Sequence, residues 1–138
     1  MHKILIIEND SELRDKIKEI LHSRLPSMHV IDATNANATL SVLSNDTPDL
    51  ILMDIQLGGY NGLKLTEEIK LQYPQITIII NSYYDSIEYR VAAHQLGADY
   101  FFSKKEHSLN DIVFLITEVF SCNAISPDTM QDPKNLYA

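Results

Sequence analysis

Residues 50–54 read LILMD, four apolar side chains in succession closed by a carboxylate. A strand with one wet face alternates in polarity. A run this continuous suits a strand covered on both faces, as in a parallel sheet. Two further runs have the same character, ILII at 4–7 and ITIII at 76–80. Shorter apolar runs at His29–Ala33 and Tyr100–Phe102 bring the expected strands to five.

Between the runs, apolar residues recur at helical spacing. Leu13, Ile17, Ile20 and Leu21 predict a first helix, with Asp10 or Ser11 as cap and Pro26 just past its end. Ala36, Leu40 and Leu43 predict a second, and Leu65 and Ile69 a third that Pro74 bars from continuing. Ile87 and Val91 are read as the inward stripe of a fourth helix, with Gly97 beyond its end. Ile112, Leu115, Ile116 and Val119 predict a fifth. Strand and helix alternate five times, and parallel strands need such crossovers. The expected fold class is α/β: a flavodoxin-like, doubly wound (βα)5 sandwich with parallel strand order 2-1-3-4-5.

A chain of 138 residues holds one domain. Residues 1–122 carry the pattern, and 123–138 are polar with two prolines, a tail or the start of a linker. Eleven basic against nineteen acidic residues give a net charge of −8, which argues against direct nucleic-acid binding by this domain. The single cysteine, Cys122, allows no internal disulfide and no cysteine-based zinc site. No apolar run approaches the roughly 18 residues of a membrane span, so a cytoplasmic place is expected.

In an open parallel sheet, ligands bind at the carboxyl ends of the strands, near the reversal of strand order. Strand 1 ends in Glu8, Asn9 and Asp10, strand 3 in Asp54, strand 4 in Asn81 and Ser82, and strand 5 in Ser103, Lys104 and Lys105. Glu8 and Asp54 should therefore approach each other. Carboxylates gathered at one edge call for a cation, and an all-oxygen site with room for water suits magnesium. A lysine and a hydroxyl opposite can hold phosphoryl oxygens. Singly, each residue has a plainer role: Asp54 as a turn or cap residue, Glu8 and Asp10 at a helix dipole, Ser82 as a cap, Lys104 at the surface. Jointly they stand at one end of different strands.

The segments KILIIENDSELR, LILMDIQLGGYNG, TIIINS and LGADYFFSK, in that order, resemble the receiver domain of bacterial two-component response regulators. The resemblance covers about residues 2–122. It implies a signalling switch rather than an enzyme. Asp54 would accept a phosphoryl group from a histidine kinase or phosphotransfer protein. Magnesium would be held by Glu8, Asn9, Asp54 and the backbone carbonyl of Gln56. Ser82 would bond a phosphoryl oxygen, and Lys104 would pair with Asp54 at rest and with the phosphoryl group afterwards. Phe101 would be the switch aromatic. Helix 4, strand 5 and helix 5 would form the face that exchanges partners, including a homodimer, with Tyr100, Phe101, Val113 and Phe114 presenting rings or apolar groups.

Four positions depart from the family pattern. Asn9 stands for a carboxylate, which predicts weaker magnesium binding. Gly58 stands for a proline, which predicts a looser loop after Asp54. Tyr83 stands for a small residue and would crowd the entrance to Asp54. Lys105 stands for a proline, so the bond before it is expected to be trans or strained. These departures leave open an atypical receiver that binds partners with little phosphorylation. An aspartate-nucleophile phosphatase would want an acid–base carboxylate two residues on, where Gln56 stands. A flavin-binding domain would want a glycine- and hydroxyl-rich loop where the sequence has ENDSEL.

Overall fold

A computed structural model describes residues 2–121. The elements run β1 (Lys3–Ile7), α1 (Ser11–Arg24), β2 (His29–Ala33), α2 (Ala36–Asn45), β3 (Leu50–Met53), β4 (Gln56–Leu57), β5 (Tyr60–Asn61), α3 (Gly62–Gln72), β6 (Thr77–Ser82), α4 (Ile87–Gln95), β7 (Tyr100–Ser103) and α5 (Leu109–Phe120). Strands β2-β1-β3-β6-β7 form one parallel sheet, the order 2-1-3-4-5 expected of its five strands. Cys122 and the segment 123–138 lie outside the described residues.

The continuous apolar runs form the centre of the sheet. Ile4 to Ile7, Leu50, Ile51, Met53 and Ile78 to Ile80 are all fully buried. Each such side chain stabilises the fold by about 1.5–3 kcal/mol. The edge strand β2 is only half covered. Helix α5 packs against α1, and α4 against α3, so helices lie on both faces.

The helix starts follow the capping residues. The Asp10 carboxylate accepts from the N–H of Glu12 and Leu13, so Asp10, not Ser11, opens α1. Asn35, Asn61 and Ser86 cap α2, α3 and α4. Ser108 and Asp111 form a reciprocal capping box at α5.

Several expectations are corrected. The loop after Asp54 is not loose: β4 and β5 pair as a hairpin, Gln56 with Asn61 and Leu57 with Tyr60. Its two turn residues, Gly58 and Gly59, have φ of 53° and 91°, the left-handed pair that a two-residue hairpin turn requires. Ile87 and Val91 do not face the sheet but are 57% and 40% exposed, and Ala93 is the buried residue of α4. Leu40 is likewise exposed. Tyr100 and Phe101, expected at the surface, are buried, as is Val113; Phe114 is exposed. Although β7 ends the sheet, all four of its residues are covered, with the Arg90 guanidinium 5.1 Å from the centre of the Phe101 ring and His107 edge-on to Phe102. The bond before Lys105 is trans, as are all others among the described residues.

Candidate functional site

The sheet register brings the site together. Ile7 stands opposite Met53, so Glu8 and Asp54 leave neighbouring strands side by side. The Asp54 N–H donates to the Ile7 carbonyl at 3.0 Å, carrying the ladder one residue past β3. Ser82 stands opposite Ser103, which puts Lys104 one residue beyond the pair. The Lys104 N–H donates to the Ser82 carbonyl at 2.9 Å.

Lys104 is the centre of the charge arrangement. Its Nζ donates to Glu8 Oε1 at 2.8 Å and to Asp54 Oδ2 at 3.0 Å. All three side chains are largely covered, at 7% exposed for Lys104, 4% for Glu8 and 13% for Asp54. Burial pushes the Glu8 carboxyl above the usual glutamate range, against the lowering effect of Lys104. Burial alone would lower the Lys104 ammonium. The Glu8 and Asp54 carboxylates outweigh it and hold that group above its ordinary value.

A cleft of about 750 Å³ opens over these groups. It is lined by Glu8, Asn9, Asp10, Asp54, Gln56 and Lys104 on its polar side and by Tyr60, Tyr83, Tyr84 and Tyr89 on its aromatic side. Tyr83 is 58% exposed, with its ring centre 5.2 Å from Lys104 Nζ. Tyr60 is fixed by its hydroxyl, which donates to Glu68 on α3 at 2.7 Å. Sequence reasoning missed Tyr60, Tyr84 and Tyr89; the Gly-Gly pair before Tyr60 was the available signal for a hairpin rim.

Ser82 is fully buried at the end of β6, and its Oγ accepts the N–H of Tyr84 at 3.0 Å. It is not among the residues that line the cleft. Gly62 holds the other side: a Cβ there would lie 2.2 Å from the Asp54 carbonyl oxygen. Only a glycine lets α3 start this close to the aspartate backbone.

The cleft lining includes the Glu8, Asp10 and Asp54 carboxylates and the Asn9 and Gln56 residues. Hard oxygen ligands of this kind fit magnesium, which keeps several waters and takes one or two carboxylates. One oxygen of the Asp10 carboxylate, Oδ1, is engaged in capping α1. Among the described residues no group of three or more acidic, histidine or cysteine side chains gathers as a metal site.

A family model described as the response regulator receiver domain matches residues 4–116. The chain is 28% identical over 134 residues to the DNA-binding transcriptional regulator NtrC of Salmonella typhimurium, covering 96% of this chain and 27% of that protein. It is 35% identical over 107 residues to the sensory transduction protein BceR of Halalkalibacterium halodurans, covering 78% and 45%. It thus spans about a quarter of the length of the NtrC proteins it matches. Among solved structures, a CheY-like receiver domain protein from Methanospirillum hungatei aligns with a TM-score of 0.78 and 29% identity, over 86% of this chain and 92% of that one. The non-phosphorylated HemR receiver domain of Leptospira biflexa aligns at 0.79 with 23% identity, over 88% and 95%, a likeness of fold alone.

Proposed function

Because this chain belongs to the response regulator receiver family, we propose that Asp54 is its phosphoacceptor and that the domain is a phosphorylation-dependent switch. The observation that carries this reading is Lys104 Nζ held between Glu8 and Asp54 at the mouth of an open cleft. An Asp54 oxygen attacks the phosphorus of a phosphohistidine on a histidine kinase or phosphotransfer protein. The P–N bond breaks, and the imidazole leaves with the bonding pair and takes a proton. Phosphoryl transfer needs positioning and charge neutralisation more than covalent help.

Receiver domains typically bind magnesium, and here Glu8, Asn9, Asp54 and the Gln56 carbonyl would hold it. When bound it supplies positive charge beside the transferring group. Lys104 supplies a second positive charge from the protein itself. After transfer, the new group carries about 1.5 to 2 negative charges and three acceptor oxygens. Lys104 stays with it, and Ser82 turns so that its hydroxyl donates to a phosphoryl oxygen. This biases a two-state region of β6, β7 and α4. Exposed Ile87 and Val91 on α4 and Phe114 on α5 support a partner-binding face there, a homodimer included. The buried Tyr100 and Phe101 take no direct part in it.

A second reading, a receiver that binds partners with little phosphorylation, is favoured by the Tyr83 ring over Lys104. Mass measurement after incubation with a small acyl phosphate and magnesium separates the two. A single phosphoryl mass gain, lost in Asp54→Asn, is the expected result. No gain in the unaltered chain supports the second reading, and a gain that persists in Asp54→Asn overturns the acceptor.

A further inference from the structure

The loop joining β6 to α4, residues 83–86, is fastened by contacts that the phosphoryl site does not use. Ser103, the last residue of β7, is fully buried. Its hydroxyl donates to Asp85 Oδ2 at 2.6 Å. The same oxygen accepts the N–H of Lys105 at 3.1 Å and of Glu106 at 3.3 Å. A serine hydroxyl has one donor and two acceptor sites, so all of them are filled.

Asp85 is held from the other side as well. Arg90 Nε donates to its backbone carbonyl at 2.9 Å, while the same guanidinium covers Phe101 and lies 3.5 Å from Glu106. Lys105 Nζ is 3.8 Å from Asp85 Oδ1. The Ser103 hydroxyl, aided by Lys105 and Arg90 against the effect of burial, keeps the Asp85 carboxyl below the usual aspartate range.

Asp85 and Ser103 thus tie the loop that follows Ser82 to the loop that contains Lys104. Ser82 Oγ sits on the Tyr84 N–H and is not among the groups lining the cleft, so donating its O–H to a phosphoryl oxygen needs a rotation that carries the oxygen away from that N–H. A turn of its hydroxyl pulls on the loop, and the next fixed point along that loop is Asp85. We propose that the Asp85–Ser103 pair is a clasp that holds the β6–α4 loop in its resting position and opens when Ser82 turns to the phosphoryl group. The strength of the clasp then sets how strongly the domain favours its resting state. The opening half of this inference rests on Asp54 as acceptor; the holding half does not. A ligand shifts a two-state element only by its differential affinity for the two states. Removing the clasp therefore raises apparent affinity for a phosphoryl group by the same factor that it loosens the resting loop.

Asp85→Ala is the main variant, because its side chain is partly solvent-facing, whereas Ser103→Ala also strips two backbone N–H groups of their acceptor. The first measurement is amide hydrogen exchange across residues 83–90 in the absence of any phosphodonor. Loss of a charge-assisted hydrogen bond should speed it about tenfold. The second is the affinity of the magnesium-loaded protein for beryllofluoride, a phosphoryl mimic, which should tighten by a similar factor. Unchanged exchange in Asp85→Ala overturns the clasp. Faster exchange with unchanged beryllofluoride affinity overturns its coupling to the switch and leaves a merely structural turn. Failure of the acceptor reading shows separately, as an unaltered chain that gains no mass with acyl phosphate and magnesium. The coupling then falls with it, and exchange alone decides whether the clasp holds the loop.

Discussion

Lys104 Nζ lies 3.0 Å from Asp54 Oδ2, a contact between residues 50 apart in the chain. The same ammonium also serves Glu8, so one buried cation separates two carboxylates. Removing one partner of a buried ion pair typically costs about 3–5 kcal/mol, because it strands the other charge. Lys104→Met should therefore lower stability by about 3 kcal/mol at neutral pH. Magnesium should restore part of that loss, since it binds the folded site and not the unfolded chain. Urea denaturation with and without magnesium measures both effects. A variant as stable as the original would show that the triad is electrostatically idle.

Gly62 should tolerate no side chain. A Cβ would meet the Asp54 carbonyl oxygen at 2.2 Å and Ile55 Cα at 2.9 Å, both backbone atoms. Overpacking of this kind costs about 1–3 kcal/mol. Gly62→Ala should sit in the upper part of that range and slow phosphorylation by shifting Asp54. Thermal unfolding and the rate of mass gain from acyl phosphate check the two consequences.

Tyr83 should restrain the site. Its ring holds Lys104 by a cation–π contact and stands at the rim of the cleft. A contact of this sort at an exposed position is worth about 0.5–1 kcal/mol. Tyr83→Ala should therefore speed phosphorylation by a small acyl phosphate about two- to fivefold. A slower variant would mean that the ring helps to position the donor instead.

Tyr100 gives the fold a weakness in alkali. Burial, with Asp99 adding to it, pushes its hydroxyl up to about 12. The unfolded chain ionises the same group near its ordinary value of 10.0. A raised folded value means stability that is complete below pH 10 and is lost as pH rises towards 12. The stability of Tyr100→Phe relative to the unaltered chain should therefore increase across that window. Denaturation midpoints at pH 9 and pH 11 test it.

The sheet and the placement of its polar ends could be read from the chain because both follow from local pattern. LILM and ILII are too apolar for a wet face, and once they lie parallel and in register, Glu8 and Asp54 must emerge together. The fourth helix stands where its spacing puts it, but its buried face differs for a physical reason. Ile87 and Val91 have helical spacing, but nine residues give α4 a narrow buried face, and Ala93 fills it. The β4–β5 hairpin was missed because Gly58 was read singly, as a residue that loosens a loop. Two adjacent glycines at positive φ instead make a tight turn. The Asp85–Ser103 contact left no sequence signal, since it joins two loops through one hydroxyl.

Asn9 offers the sharpest test of the site. Glu8 and Asp54 are the carboxylates of the proposed magnesium site, and both already bond Lys104. Asp10 opens α1 instead, its Oδ1 accepting the N–H groups of Glu12 and Leu13. The Asn9 side chain is exposed and lines the cleft beside Gly58, so a third charge can enter there without burial. Magnesium affinity depends strongly on carboxylate number and geometry. At an effective dielectric near 20 a carboxylate about 4 Å from a divalent ion contributes some 8 kcal/mol, largely offset by hydration and by loss of the amide oxygen. A net gain of about 1–2 kcal/mol, or roughly tenfold in affinity, follows for Asn9→Asp. The same substitution adds repulsion to a site that already holds two carboxylates, so the metal-free variant should be slightly less stable. Calorimetric titration of magnesium into both proteins, with urea denaturation of the metal-free forms, reads the two effects independently. Equal magnesium affinities would remove Asn9 from the ligand set. Tighter binding together with faster phosphorylation at low magnesium would assign it there.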